Sequence, residues 1–274
     1  MKKLFTLLAL TISFSMNGQM SDNSGSTSAT GSASIAMGFA TTASGNYSTA
    51  MGFFTEASGD YSTAMGQNTT ASGDNSTAMG EFTTASGDVS TAMGYNTTAS
   101  DRGSLVIGEY NLLGSTVTNS ATQFSTDNTA FVIGNGANAN NRADAFVVMF
   151  NGNATLAGNL SVNSDARLKS NIISLGSTMS KLLEIDGKSY IMKRDENKEQ
   201  KIGLLAQDIE KVFPELVSES SGIKSVNYQG LVPVLINALK EQDVKMKEQQ
   251  MEIESLRDQE KRIDRLEKLV AQLD

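Results

Sequence analysis

A pentapeptide returns along the first half of this chain at a fixed step. Ser-Thr-Ala-Met-Gly occupies 48–52, 62–66, 76–80 and 90–94, with the variants Ser-Ile-Ala-Met-Gly at 34–38 and Ser-Leu-Val-Ile-Gly at 104–108. Each step is fourteen residues. The other half of the unit ends in Ala-Ser-Gly at 43–45, 57–59, 71–73 and 85–87, and decays to Ala-Ser-Asp at 99–101. A strict short period means units that pack mainly on their neighbours. Fourteen residues is short for a helical hairpin but suits one coil of a β-solenoid, with two short strands and two turns. Thr49 and Met51 alternate with Ser48, Ala50 and Gly52, which is strand periodicity. Gly52, Gly66, Gly80 and Gly94 recur where the chain must turn, and Ser-Gly-Asp is turn chemistry. Stacked coils would rise by about 4.8 Å each, the spacing between paired strands.

Burial is the difficulty for such a rod. Each coil offers one Met, some Ala and an occasional Phe or Tyr. Folding must offset about 1–2 kcal/mol of backbone entropy per residue. Small residues at a strict period favour close approach of several chains, so the expectation is a homotrimer or similar oligomer with a shared core. Asp60, Asp74 and Asp88 recur once per coil, but one carboxylate per coil is thin for calcium, and they read as turn residues. The pairs Thr41–Thr42, Thr69–Thr70, Thr83–Thr84 and Thr97–Thr98 read as solvated strand rather than as an ice-binding ladder, which Thr55–Glu56 would break. No aromatic cluster, basic groove or pocket signature is legible in the repeats, so no ligand is implied.

Composition excludes several function classes. The chain has no Cys, no His and no Trp. That removes Ser-His and Cys-His catalysis, zinc clusters and disulfides. No cofactor or metal is expected. The net charge of −8 and sequence pI near 4.7 argue against nucleic acid. Lys2 and Lys3 precede an apolar run from Leu4 to Phe14, followed by small and polar residues. This is the layout of a secretory signal peptide, assigned to 1–19 with cleavage between Asn17 and Met20. No other apolar run is long enough to span a bilayer, so no transmembrane segment remains after cleavage.

The stretch Asn-Ser-Thr-Ala-Met-Gly at 75–80, with its spacing, resembles the head repeats of YadA-like trimeric autotransporter adhesins. The resemblance covers about residues 24–140. It implies a trimeric left-handed parallel β-roll displaying a binding surface. The chain departs from that family in having no C-terminal membrane β-barrel anchor. The repeat then loosens from 105 to 162, and 144–163 reads as two strands around the Asn151–Gly152 turn. Residues 141–163 are therefore expected to form a β-hairpin neck.

Composition changes after Ser164. Ile202, Leu205, Ile209, Val212, Phe213 and Leu216 follow helical spacing, ended near Pro214. A second helix opens around 230, with Pro233 in its first turn. Leu235, Leu239, Met246 and Ile253, then Ile263, Leu266, Val270 and Leu273, form the stripe of a coiled coil over 236–274. Its register slips once, where Gln259 and Glu260 occupy the seam.

The segments Ser-Asp-Ala-Arg-Leu-Lys-Ser-Asn-Ile (164–172), 203–217 and 226–242 are together similar to the peptidase S74 family, the intramolecular chaperone of endosialidase-type tailspikes. The domain is assigned to 164–235, as an α+β unit. The resemblance implies a domain that trimerises, templates folding of the stalk before it, and then cuts itself off through a Ser–Lys pair. Carried onto this chain, Ser164 is the nucleophile, Lys169 the general base, and Asn163–Ser164 the scissile bond. The chemistry agrees with the composition. A hydroxyl needs a base to take its proton. Without histidine or cysteine, the natural base is a lysine kept neutral by an apolar or subunit-interface environment. Asp165 would orient the serine or cap the turn that follows. Arg167 reads as solvated or ion-paired, with no role.

Together these readings describe an exported protein, secreted or at the cell surface: a homotrimeric, mainly β rod, an α+β chaperone and a coiled coil. Two alternatives stand beside it. One is the same trimer with an uncleaved, non-enzymatic chaperone cap. The other is a phage-derived tail fibre, against which the leader argues.

Overall fold

The computed structural model describes residues 19–20, 26–116, 120–193 and 198–270. The signal-peptide expectation falls almost wholly on residues outside that set. The chain divides into two compact units, Met1–Val162 and Asn163–Asp274.

The first unit is a β-solenoid of about six turns. Each coil contributes a five-residue strand, as in Thr49–Phe53 and Thr63–Gln67, and a two-residue strand, as in Glu56–Ala57 and Thr70–Ala71. Both kinds stack in parallel with a register shift of one full repeat. Met51 pairs with Met65, Met65 with Met79, and Ala57 with Ala71. The period therefore places identical residues directly above one another.

What fills the roll is alanine. Ala36, Ala50, Ala64, Ala78 and Ala92 of the long strands face Ala43, Ala57, Ala71, Ala85 and Ala99 of the short ones, all with no exposed surface. Val106 and Val132 take over at the last coils. The methionines lie on the opposite face of the long strands, half-buried. Along that face the positions from Ile35 to Leu105 and from Met37 to Ile107 hold only Ile, Thr, Leu and Met, without a charge. The Thr pairs are split between faces. Thr41, Thr55, Thr69, Thr83 and Thr97 point inward and are buried, while Thr42, Thr70, Thr84 and Thr98 point outward and are half-buried. A flat double threonine ladder is thereby excluded.

The turn aspartates have a defined task. Asp74 Oδ1 accepts the Asp60 backbone N–H at 3.0 Å, and Asp88 Oδ1 accepts that of Asp74 at 3.1 Å. Asn46 opens the same ladder by donating its N–H to Asp60 Oδ1 at 2.8 Å. The aromatic residues correct the expectation from sequence. Tyr47 and Tyr61 stack at 5.0 Å, Phe39 and Phe53 at 5.3 Å, and Tyr95 meets Tyr110 edge-on at 5.2 Å. Residues fourteen or fifteen apart look scattered in the sequence but are neighbours in the roll.

The rod ends on an asparagine. In inner coils the N–H of Thr84 donates to the carbonyl of Thr97 in the next coil at 2.8 Å. At the last short strand the fully buried Asn111 side chain replaces that partner. Its Oδ1 accepts the Thr98 N–H at 2.8 Å and its Nδ2 donates to the Thr98 carbonyl at 3.1 Å. One carboxamide thus supplies both an acceptor and a donor to the last short strand, its oxygen taking the place of the carbonyl that inner coils receive. Asn111→Ala removes both bonds, and denaturant unfolding of the rod should lose about 1–3 kcal/mol, the cost of stranding buried polar groups. The chain returns as Thr129–Asn135, parallel to Leu105–Glu109, and then turns back through Asp144–Met149 and Ala154–Leu156. Gly152 in the connecting turn has φ +88°.

The second unit is α+β. Two hairpins, Lys188–Ile191 with Gln200–Gly203 and Val217–Ser220 with Ile223–Val226, accompany a helix at Ala206–Val212. The helical run expected from Ile202 to Leu216 is shorter in fact. Ile202 belongs to a strand, and only 206–212 is α-helical. Gly203 closes that strand, where a Cβ would crowd the Tyr190 ring and the Tyr228 hydroxyl, and past Phe213 the chain passes into a 3-10 turn at Pro214–Leu216. Ile209, Val212 and Phe213 pack with Val234 as the core. The 40-residue helix Leu231–Val270 runs without interruption through the register slip. Its seam residues Leu239, Met246, Ile253, Ile263 and Leu266 are exposed in the single chain.

Glu241 ties this helix to the rest of the unit. Its carboxylate accepts Ser177 Oγ–H at 2.6 Å and the backbone N–H groups of Thr178 and Met179 at 2.5 and 3.3 Å, at the start of the short helix Met179–Leu182. These donors, the Ser177 hydroxyl first, hold the Glu241 carboxyl below its usual range. A depressed carboxyl stabilises the fold above the unfolded pKa, and that stability disappears as pH falls through the folded value. The melting temperature of the C-terminal unit should therefore hold at neutral pH and drop below the ordinary glutamate range, near pH 4. Glu241→Gln should lower it at pH 7 and flatten the acid limb, read by circular dichroism.

Candidate autoprocessing site

Ser164 and Lys169 flank a single turn. Ala166–Leu168 forms a 3-10 turn, closed by Leu168 N–H to the Asp165 carbonyl and Lys169 N–H to the Ala166 carbonyl, both at 3.1 Å. Asp165 caps it, its Oδ1 accepting the Arg167 N–H at 2.8 Å. The turn brings the ends together, and Lys169 Nζ donates to Ser164 Oγ at 2.7 Å. This is the contact that a serine nucleophile and a lysine base require.

Surroundings differ from the sequence expectation. Asn163, Ser164 and Lys169 are all exposed in the single chain, as are Leu168, Ile172 and Ile173. The apolar environment that a neutral lysine needs is not supplied by the fold of the single chain. The pair was named in the sequence through resemblance, not spacing; the turn that joins it is capped by Asp165, whose capping reading the geometry matches. Arg167, given no role from sequence, returns its guanidinium to Asp165, with Nη2 at 2.6 Å from Oδ2. That guanidinium holds the Asp165 carboxyl below the usual carboxylate range, and Asp165 raises Arg167 in turn. The spacing Asp-x-Arg beside a serine was the signal for this pair. No cluster of three or more Asp and Glu side chains suited to a metal ion occurs among the described residues.

The segment that begins with this serine is recognisable. Residues 164–218 match the peptidase S74 family, described as the chaperone of endosialidase. The rod matches the YadA head domain repeat over 29–55, 57–82 and 85–109. The chain is also similar to the long tail fiber protein Gp37 of Escherichia phage AR1, 31% identical over 97 residues, covering 32% of this chain and 9% of the relative. Long tail fiber protein Gp37 of Salmonella phage S16 is 28% identical over 117 residues, covering 39% of this chain and 16% of the relative. The chain thus spans a small part of the length of these relatives. Two parts of the chain therefore resemble known modules: the rod resembles the YadA head repeat, and residues 164–218 the S74 chaperone. Among the described residues, no helix is long and apolar enough to cross a membrane.

Proposed function

We propose that the chain is a homotrimeric fibre protein, secreted or at a surface, whose C-terminal unit directs assembly and then releases itself at Asn163–Ser164. The 2.7 Å contact between Lys169 Nζ and Ser164 Oγ carries the cleavage reading. The Met-bearing face of the rod, half-buried in the single chain, and the exposed seam of the long helix support the trimer, since uncovered apolar stripes mark interaction surfaces. The relatives' name, long tail fiber protein, supports a fibre. Whether the fibre serves a phage or a cell surface turns on the leader at 1–19.

The nucleophile lies on the amine side of its own scissile bond, which dictates the steps. Lys169 Nζ takes the Ser164 hydroxyl proton while Oγ attacks the Asn163 carbonyl carbon through a five-membered ring. The C–N bond breaks, and the proton passes to the departing Ser164 nitrogen. An ester now joins Asn163 to Ser164 Oγ. Water then attacks the ester, leaving a carboxylate at Asn163 and restoring the hydroxyl. Subunit contact is the natural source of the apolar cover that Lys169 lacks in one chain.

A denaturing gel of the refolded chain tests the cleavage. The expected product is a 111-residue fragment beginning at Ser164. A chain that stays intact returns the reading to a permanent, non-enzymatic cap. Light scattering tests assembly, and a monomer mass at micromolar concentration would overturn the trimer.

A further inference from the structure

We infer that Asp165 and Arg167 form a positioning clasp for the dyad, an inference that builds on the cleavage reading. Among the described residues, the hydrogen bonds of the segment from Asn163 to Ile173 all stay within it. No side chain from the core of the unit braces Ser164 or Lys169. The dyad nonetheless closes, so the turn between its members is what holds it.

A 3-10 turn of three residues is marginal by itself, because its hydrogen bonds are poorly aligned and its ends fray. Here one carboxylate closes it twice. Asp165 Oδ1 accepts the Arg167 backbone N–H at 2.8 Å and Arg167 Nε–H at 3.0 Å. Asp165 Oδ2 accepts Nε–H at 3.1 Å and Nη2–H at 2.6 Å. Exposed ion pairs usually contribute little, since solvent screens them and two long side chains must be ordered. This pair escapes part of that cost. The bond is bidentate, which fixes the planes of both groups, and the same carboxylate is already held by the backbone cap. Asp165 touches neither the serine hydroxyl nor the lysine amine. It acts through the turn, which makes it a positioning residue.

The consequence is kinetic. A dyad closed for only a fraction of the time reacts in proportion to that fraction. Asp165→Ala removes cap and pair together and should slow cleavage roughly 10–100-fold, the scale of misplaced catalytic groups. Asp165→Asn keeps an acceptor for the Arg167 N–H and should stay within about threefold of the parent, as expected where the cap dominates an exposed pair. Because the segment makes no bonds to the core, the full chain's melting temperature should be the same in both variants.

The experiment has two arms on the full chain. The first times cleavage after refolding. The second measures hydrogen exchange of the Arg167 amide in the uncleavable Ser164→Ala background, with and without Asp165→Ala. Slow cleavage in Asp165→Ala, rescue in Asp165→Asn, unchanged melting and faster Arg167 exchange support the clasp. Parental cleavage in Asp165→Ala, or an Asn variant as slow as Ala, overturns it. A parent that never cleaves removes the dyad reading alone. The exchange arm then decides whether Asp165 organises the turn: lost protection supports it, and unchanged protection overturns it.

Discussion

Gly66→Ala is expected to abolish the folded rod. Gly66 sits at φ +122°, a region that side chains of L-residues rarely adopt. A Cβ there would also overlap the carbonyl oxygen of Gly80 in the next coil. The obstacle is backbone, so no rotamer change relieves it. Moving Gly80 away breaks the register that aligns Ala64 with Ala78 and Met65 with Met79. Alanine cores have no larger side chain with which to absorb the gap. Strain and clash together should exceed the 4–5 kcal/mol that marks exceptional single substitutions. Circular dichroism should lose the strand signal of the roll, and limited proteolysis should open the repeats. A control at Gly158, where a Cβ meets nothing within 4 Å, should leave the rod intact.

The second large effect concerns the dyad. Ser164→Ala should leave no detectable cleavage at 163/164, because no other hydroxyl can form the five-membered ring with the Asn163 carbonyl. Lys169→Met removes the base but keeps the length of the side chain, and cleavage should slow by about 10²–10⁴-fold, the usual contribution of a placed general base. Hydroxylamine gives a check independent of either variant. It attacks esters far faster than amides, so it should accelerate chain separation in the parent and deposit a hydroxamate at Asn163. In Ser164→Ala it should do neither at the 163/164 bond. Mass spectrometry of the N-terminal fragment reads the outcome directly. Splitting at this bond that persists in both variants would falsify the assignment.

The parts legible from sequence were those written in a repeating or locally closed code. Fourteen-residue spacing was enough to stack the strands, and Ser-Gly-Asp marked real turns; Gly52, Gly66 and Gly80, expected at turns, lie instead within the long strands at positive φ. The spacing was not enough to say which apolar residue fills a single chain. Ala50 and Met51 differ by one position, and on a strand one position changes the face. The inward place went to the smaller residue because two sheets meet there at close range. Aromatic clusters escaped notice for a related reason: Tyr47 and Tyr61 are neighbours only once the coil is closed. At the candidate site, Ser164 and Lys169 were identified through resemblance, and Asp165 through capping chemistry. Arg167 was passed over because surface arginines are common and usually unbound. The shortened helix at 206–212 reflects the pairing of 200–203 with Lys188–Ile191, a non-local contact that no periodicity encodes.

Asn111 has a wider consequence. Its carboxamide oxygen stands in for a carbonyl, and inner coils receive the same carbonyl from the next coil, as Glu56 does from Thr69, Thr70 from Thr83 and Thr84 from Thr97. The closing residue therefore fits whichever coil happens to come last. Whole coils can be gained or lost upstream without redesigning the terminus, each adding about 4.8 Å of reach. A gain of any other length would put alanine against solvent and threonine out of line. Genes that duplicate in forty-two-nucleotide steps would thus lengthen or shorten the fibre as one adjusts a ruler, with its end fitting kept in stock.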